Sequence, residues 1–118
     1  MKFHNLNIVT DNTFETYQKI TSLLKVIPEE EKEEFAIWRY QIVTNEEDKN
    51  FDFINAFLDL LEPNFKSLKA LGINKEDINI WLFYEYKSQC SMSFNAREMK
   101  RIGQSGISLN IDCIKSSY

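Results

Sequence analysis

The sequence predicts an α+β fold: one open, mixed sheet of about five strands with three helices mainly on one face. Segments with the period-two apolar alternation of strands are interspersed with segments of helical spacing, which is the first observation behind this prediction. Apolar residues make up 43% of the chain and charged residues 27%, as in ordinary globular domains. The 118-residue chain is long enough to bury one hydrophobic core but too short for two. We therefore expect a single domain spanning residues 1–118.

The first half of the chain predicts two strands and a helix. Residues 3–10 carry the alternating apolar pattern of a half-buried strand. A helix is expected from about residue 13 to 26, because apolar residues recur at three- and four-residue spacing until Pro28 ends the pattern. Residues 35–44 are rich in aromatic and β-branched types, which favours a second strand.

The middle of the chain predicts the longest helix and the clearest strand. Apolar side chains recur at helical spacing from residue 54 to 68, and Pro63 should kink this helix or restart it from its own first turn. Residues 78–87 form a strand that is apolar on both faces at its middle. Such a strand is either covered on both sides or presents Trp81 and Phe83 to a partner.

Two further strands and a short helix are expected after residue 89. Residues 90–94 alternate and predict a short strand antiparallel to the preceding one. Asn95 and Glu98 have the spacing of a capping box, which predicts a helix that starts here and ends near Gly106. Residues 107–113 alternate again and predict a last strand with one wet face.

Charge and composition narrow the class of partner and the location. The formal net charge is −4, from 14 basic and 18 acidic residues, which disfavours nonspecific nucleic-acid binding and favours a cationic partner. The beginning of the chain has no apolar signal-peptide segment, and nowhere do 18 apolar residues run together. The sequence therefore predicts a soluble, cytoplasmic protein without a membrane span.

The sequence offers no catalytic signature, which favours binding over catalysis. His4 is the only histidine and is expected at the surface, so neither a Ser-His-Asp arrangement nor a His-rich metal site can be assembled. Cys90 and Cys113 lack CxxC spacing and are interpreted as buried free thiols. We expect no catalytic residues, no metal ion and no cofactor.

The most suggestive residues are aromatic and polar side chains on two predicted strands. Trp81, Phe83 and Glu85 share one face of the third strand, and Arg39 and Gln41 on the second strand could lie across from them. Trp, Phe and Arg are enriched at binding hot spots and interface cores. The alternative is that a helix covers this face and that the aromatic residues belong to the core.

The last predicted helix carries a small basic patch. Arg97, Lys100 and Arg101 could grip a phosphate or an acidic partner, or they are simply the exposed side of an amphipathic helix. Binding to nucleic acid would require this patch to dominate over the net charge of −4. We therefore expect no nucleic-acid partner.

Four segments carry a resemblance to a known family: LLEPNFKSLKALG at 60–72, the strand containing Trp81, CSMSFNAREMKRIGQSG at 90–106, and ISLNID at 107–112. They resemble the domain of unknown function 4279 family, which comprises small bacterial proteins without an assigned activity. Trp38 and a first helix that ends before Pro28 add weaker similarity. The resemblance implies a bacterial, cytoplasmic α+β protein and supplies no functional residues.

Two functions from different classes remain open at this point. The first is a noncatalytic protein-binding module that engages another protein or itself, for example an immunity-type protein that blocks a basic toxin. The second is a small-ligand-binding domain or small enzyme with a pocket between helix and sheet, whose polar groups would come from Glu85, Tyr86 and Asp112. The sequence identifies neither the partner nor the ligand.

Overall fold

The computed structural model of the chain describes residues 1–29, 34–45 and 51–116 as a sheet with one layer of helices. The strands are β1 (Lys2–Val9), β2 (Ile37–Thr44), β3 (Ile78–Tyr86) and β4 (Ser108–Lys115). The α-helices are α1 (Phe14–Leu24), α2 (Phe53–Leu61), α3 (Phe65–Ala70) and α4 (Ala96–Ser105). Short 3-10 turns span Glu62–Asn64 and Lys75–Asp77.

The sheet is mixed, with the strand order β2-β1-β3-β4. The inner strand β1 is antiparallel to both β2 and β3, whereas β3 and β4 are parallel and are joined through α4. Because side chains alternate along a strand, the registers determine which residues of neighbouring strands share a face. The prediction of an α+β fold with a mixed sheet is confirmed.

The predicted strand at residues 90–94 is wrong, and the described residues contain four strands instead of about five. The segment has no regular secondary structure. Its alternation arises because Met92 and Phe94 pack against the hydrophobic core while Ser91 and Ser93 are exposed. A loop in which every second side chain packs against the core therefore has the same sequence pattern as a short strand.

The hydrophobic core lies on one side of the sheet, where all four α-helices pack. Leu6 and Ile8 of β1, with the residues of β2 and β3 that lie beside them, contact apolar side chains of α1, α2 and α3. Trp38 is fully buried in this core, and its indole Nε1 donates a hydrogen bond to Thr21 Oγ1 of α1 over 3.0 Å. Within the described ranges, the helices therefore cover one face of the sheet only.

Local signals fix the helix ends. Thr13, Asp52 and Asn95 are the N-caps of α1, α2 and α4, and the side chain of each accepts a hydrogen bond from a backbone N–H of the first turn. Pro63 lies in the first turn of the 3-10 segment that separates α2 from α3, as its missing N–H requires. Gly106 has φ +77°, a left-handed conformation that ends α4. No helix of the described residues is long and apolar enough to cross a membrane.

Candidate functional site

The side of the sheet that faces away from the helices is here called the open face. Neither an α-helix nor a 3-10 turn of the described residues covers it. Three rows of side chains, read from β2 through β1 and β3 to β4, form its centre: Arg39, Asn7, Asn79 and Ser108; Gln41, Asn5, Trp81 and Asn110; and Val43, Phe3, Phe83 and Asp112.

Polar side chains on the β2 side of the open face bind one another across the strands. Gln41 Nε2 donates to Asn5 Oδ1 over 2.8 Å, and Arg39 Nε donates to Asn7 Oδ1 over 2.9 Å. The Arg39 guanidinium also lies 3.7 Å from the Glu29 carboxylate. Asn5 is only 4% exposed, since its neighbours on the same face shield it. This part of the face is therefore ordered by its own hydrogen bonds.

An aromatic pair lies next to these amides. Trp81 and Phe83 are two residues apart on β3, and their rings stack with centroids 5.4 Å apart and planes 11° from parallel. Both rings are partly exposed, and Phe3 lies directly across from Phe83 on β1. Val43, at the end of the same row, is 45% exposed. The face therefore presents a strip of apolar surface whose rings are already held in place.

Two carboxylates flank the aromatic pair. Asp112 of β4 lies beside Phe83, and Glu85 follows two residues after Phe83 on the same face. Within the described part of the chain, neither side chain has an ion-pair or hydrogen-bond partner. The face therefore carries two carboxylates without an ion-pair partner among the described residues, whereas Arg39 is engaged by Asn7 and Glu29.

All five residues that the sequence predicts for binding lie on the open face: Arg39, Gln41, Trp81, Phe83 and Glu85. The alternative of a helix over this face is wrong for the described residues. The pocket predicted between helix and sheet cannot use Glu85 and Asp112, which point away from the helices, while Tyr86 alternates to the other side. Binding by the five residues stays a prediction.

One of the three cations of the basic patch on α4, Arg101, is bound by acidic and polar side chains of the neighbouring α2 and the turn after it. The Arg101 guanidinium donates to Asn55 Oδ1 over 2.6 Å, to Asp59 over 2.7 Å and to Glu62 over 3.2 Å. Hydrogen bonds to the Glu62 and Asp59 carboxylates raise the pKa of Arg101 above its usual range. Arg101 therefore ties α4 to α2, and only Arg97 and Lys100 of the patch are exposed.

The predicted surface position of His4 is wrong, because the residue is 2% exposed on the helix-covered side of the sheet. His4, Leu6 and Ile8 share one face of β1, so extending the period-two pattern back by one step would have found this. Burial, and secondarily the charge of Lys2, lowers the pKa of the imidazole to about 4. His4 is therefore a neutral, buried group.

The expectation of free buried thiols is also wrong. Cys90 and Cys113 form a disulfide between the segment after β3 and the end of β4. Cys113 is exposed because β4 is an edge strand whose last residues are not covered by a helix. The sequence contained the two cysteines but no signal of their proximity, which depends on the parallel pairing of β3 with β4.

Neither a metal-binding group of the described residues nor a similar protein indicates a function for this chain. No group of three His, Cys, Asp or Glu residues in the described ranges is arranged to hold a metal ion. The resemblance to the domain of unknown function 4279 family stays a prediction. No family model, curated protein or solved structure matches this chain.

Proposed function

We propose that this chain is a noncatalytic protein-binding module that holds a basic protein partner on the open face. The observation that carries the proposal is the stacked Trp81–Phe83 pair on a sheet face that no helix of the described residues covers. Aromatic side chains whose rings are already fixed lose little conformational entropy on binding, which makes them effective interface anchors. An immunity-type protein that blocks a basic toxin is one form that this function takes.

The charges favour a basic partner over a second copy of the chain. Glu85 and Asp112 lack counter-ions among the described residues, and the whole chain carries a net charge of −4. Two copies packed face to face would bring these carboxylates towards one another, which opposes association. A partner with Lys or Arg around an apolar patch would match both the aromatic strip and its acidic rim.

The same charges argue against nucleic acid as the partner. A phosphate backbone requires a basic footprint, and the open face offers Arg39, which Asn7 and Glu29 already engage. Arg101, one of the three cations of the α4 patch, is held by Asn55, Asp59 and Glu62. Among the described residues, only Arg97 and Lys100 of the α4 patch therefore remain exposed, and two cations are too few for a track along a phosphate backbone.

Affinity capture with matched variants tests the proposal. The tagged chain is incubated with lysate of its source organism at low salt, followed by crosslinking and mass spectrometry. The test variant combines Trp81→Ser with Phe83→Ser, and the control is Met99→Ser, which removes an exposed apolar side chain from α4. We expect the wild type and the control to capture one stoichiometric basic protein, and the test variant to lose it.

Three further readouts decide the result. Circular dichroism must show that both variants are folded, and crosslinks should map to β1, β3 and β4. Capture should weaken as salt is raised, because the carboxylates of the face steer the partner. Retention of the partner by the double variant, an acidic partner, or recovery of the chain with only itself would each contradict the proposal.

A further inference from the structure

The disulfide between Cys90 and Cys113 joins the segment after β3 to the last part of β4, residues 111–115, here called the β4 end. All five residues of the β4 end are exposed. The beginning of the strand is different, because Ile107, just before β4, is buried in the hydrophobic core and Leu109 packs against it. The described part of that core includes no residue of the β4 end. Side-chain packing therefore fixes the beginning of β4 but not its end.

The β4 end is also paired on one side only. Residues 112–115 lie opposite residues 83–86 of β3, and β4 is an edge strand of the described sheet. No ion pair among the described residues involves the β4 end. Segments with few buried apolar contacts and exposed backbone hydrogen bonds open at low free energy. The disulfide therefore adds a covalent restraint at a place where packing contributes little.

A reductant can reach this disulfide, because Cys113 is exposed and Cys90 is partly exposed. Exposed disulfides are typically the labile and regulatory ones. A thiolate of a dithiol reductant attacks the Cys113 sulfur, forms a mixed disulfide and releases the Cys90 thiolate; the second thiol of the reductant then displaces Cys113. Two electrons pass to the protein, each cysteine sulfur ends as a protonated thiol, and the reductant leaves as a cyclic disulfide.

The β4 end carries part of the open face. Because side chains alternate along a strand, Cys113 lies on the side of the helices, while its two neighbours, Asp112 and Ile114, lie on the open face. Asp112 is opposite Phe83 of the aromatic pair, and Ile114 is opposite Glu85. Ile114 is 54% exposed and adds apolar surface there. A change in the order of the β4 end therefore changes the surface beside the aromatic pair.

We propose that the disulfide is a redox switch: reduction by a dithiol releases the β4 end from the sheet, and oxidation restores it. The change stays local, because Phe94, which follows Cys90 in the same segment, packs against the core in its own right. The consequence for binding rests on the proposed function of the open face. The oxidised chain holds Asp112 and Ile114 in place for a basic partner, and the reduced chain does not.

Nitrogen-15 NMR relaxation of the isolated chain tests the switch itself. Rigid backbone amides have order parameters of about 0.85, and flexible ones fall below about 0.6. We expect residues 111–115 to pass from the first range to the second when dithiothreitol reduces the chain, and to return when oxidised glutathione restores the bond. Residues 107–109 should stay rigid in both states, because the core holds them. Unchanged order parameters at the β4 end, or unfolding of the whole chain on reduction, would overturn the proposal.

A variant without the disulfide separates its loss from other effects of the reductant. Cys90→Ser combined with Cys113→Ser should have a flexible β4 end with or without dithiothreitol. The control Ser91→Ala changes an exposed residue of the same segment and should respond to dithiothreitol as the wild type does. A rigid β4 end in the double variant would show that backbone pairing alone holds it, and the switch would be rejected.

Affinity capture distinguishes a failure of the switch from a failure of the proposed function. The oxidised wild type and the double serine variant are incubated with lysate that has been desalted to remove small thiols. We expect the variant to capture the partner about fivefold less, and oxidised Asp112→Asn, Ile114→Ser to show the same loss, since contacts at the rim of an interface contribute modestly. Undiminished capture of a Trp81-dependent partner by the double serine variant would overturn the control of binding. Capture by neither chain would contradict the proposed function, and the order parameters would still decide the switch.

Discussion

His4 and Asn5 are neighbours on β1 and point to opposite faces of the sheet, where their polar atoms meet different surroundings. On the open face, Asn5 Oδ1 accepts a hydrogen bond from Gln41, and Asn7 Oδ1 accepts one from Arg39. On the covered face, one nitrogen of His4 lies beside Thr44 and the other has no partner among the described residues. The open face thus presents apolar surface and charge to a partner, whereas the covered face keeps one polar atom buried and without a hydrogen-bond partner among the described residues.

The largest expected effect is a difference in the free energy of unfolding between a substitution on the covered face and one on the open face. Ile80 and Trp81 are adjacent on β3, and Ile80 is fully buried while Trp81 is partly exposed. Replacing Ile80 with Ala should lower the free energy of unfolding by about 4 kcal/mol, because it leaves a cavity in the core. Trp81→Ala should cost about 1 kcal/mol. Urea denaturation measures both, and equal losses would mean that the open face is covered.

The disulfide is expected to contribute next. It closes a loop with a sequence separation of 23 residues, which corresponds to ~3 kcal/mol of stabilisation. Cys113→Ser should therefore lower the free energy of unfolding by that amount, and a reducing agent should lower the wild type equally. A reducing agent should have no effect on the variant. Stability that is insensitive to reduction would show that the bond does not form in solution.

The covered face should also make stability depend on pH through His4. Its pKa is about 4 in the folded chain, against an ordinary value of 6.5, so the unfolded chain takes up this proton first as the pH falls. The contribution of the neutral His4 to the free energy of unfolding is fully present above pH 6.5. It is lost between pH 6.5 and 4, and the loss is at most about 3 kcal/mol. His4→Phe should flatten this part of the stability curve. Parallel curves for the variant and the wild type would contradict the assignment.

A smaller effect is expected at the contact between α4 and α2. Arg101→Met removes the fork to Asn55, Asp59 and Glu62 and should cost about 1 kcal/mol, since partly exposed ion pairs are individually weak. Arg97→Met on the exposed side of α4 should change stability by less than about 0.5 kcal/mol. Thermal unfolding of the two variants distinguishes them, and equal shifts would show that the fork is not formed.

The pattern of apolar residues predicted most of the elements, because alternation and helical spacing follow directly from backbone geometry. It also placed Trp81, Phe83 and Glu85 on one face of β3, and β1 lies between this strand and β2, which carries Arg39 and Gln41. The prediction failed where tertiary contacts decide. The segment at 90–94 packs as a loop because Met92 and Phe94 are drawn into the core.

The residues that surround His4 could not be predicted for a similar reason. They come from β1, from the start of α2 and from the segment before α4, which are far apart in sequence and meet only through the strand order. The disulfide depends equally on long-range placement, since Cys113 reaches Cys90 only because β4 runs parallel to β3. Local sequence patterns do not indicate which residues that are far apart in sequence lie next to each other in the fold.

The two tryptophans allow the most direct test of the central claim, that the open face is free in the isolated chain. Trp38 is buried on the covered face and Trp81 lies on the open face, so Trp38→Phe and Trp81→Phe each leave one reporter. Acrylamide quenching of fluorescence should be strong for the chain that retains Trp81 and weak for the chain that retains Trp38. Equally weak quenching in both would show that the open face is already covered and would contradict the proposed function.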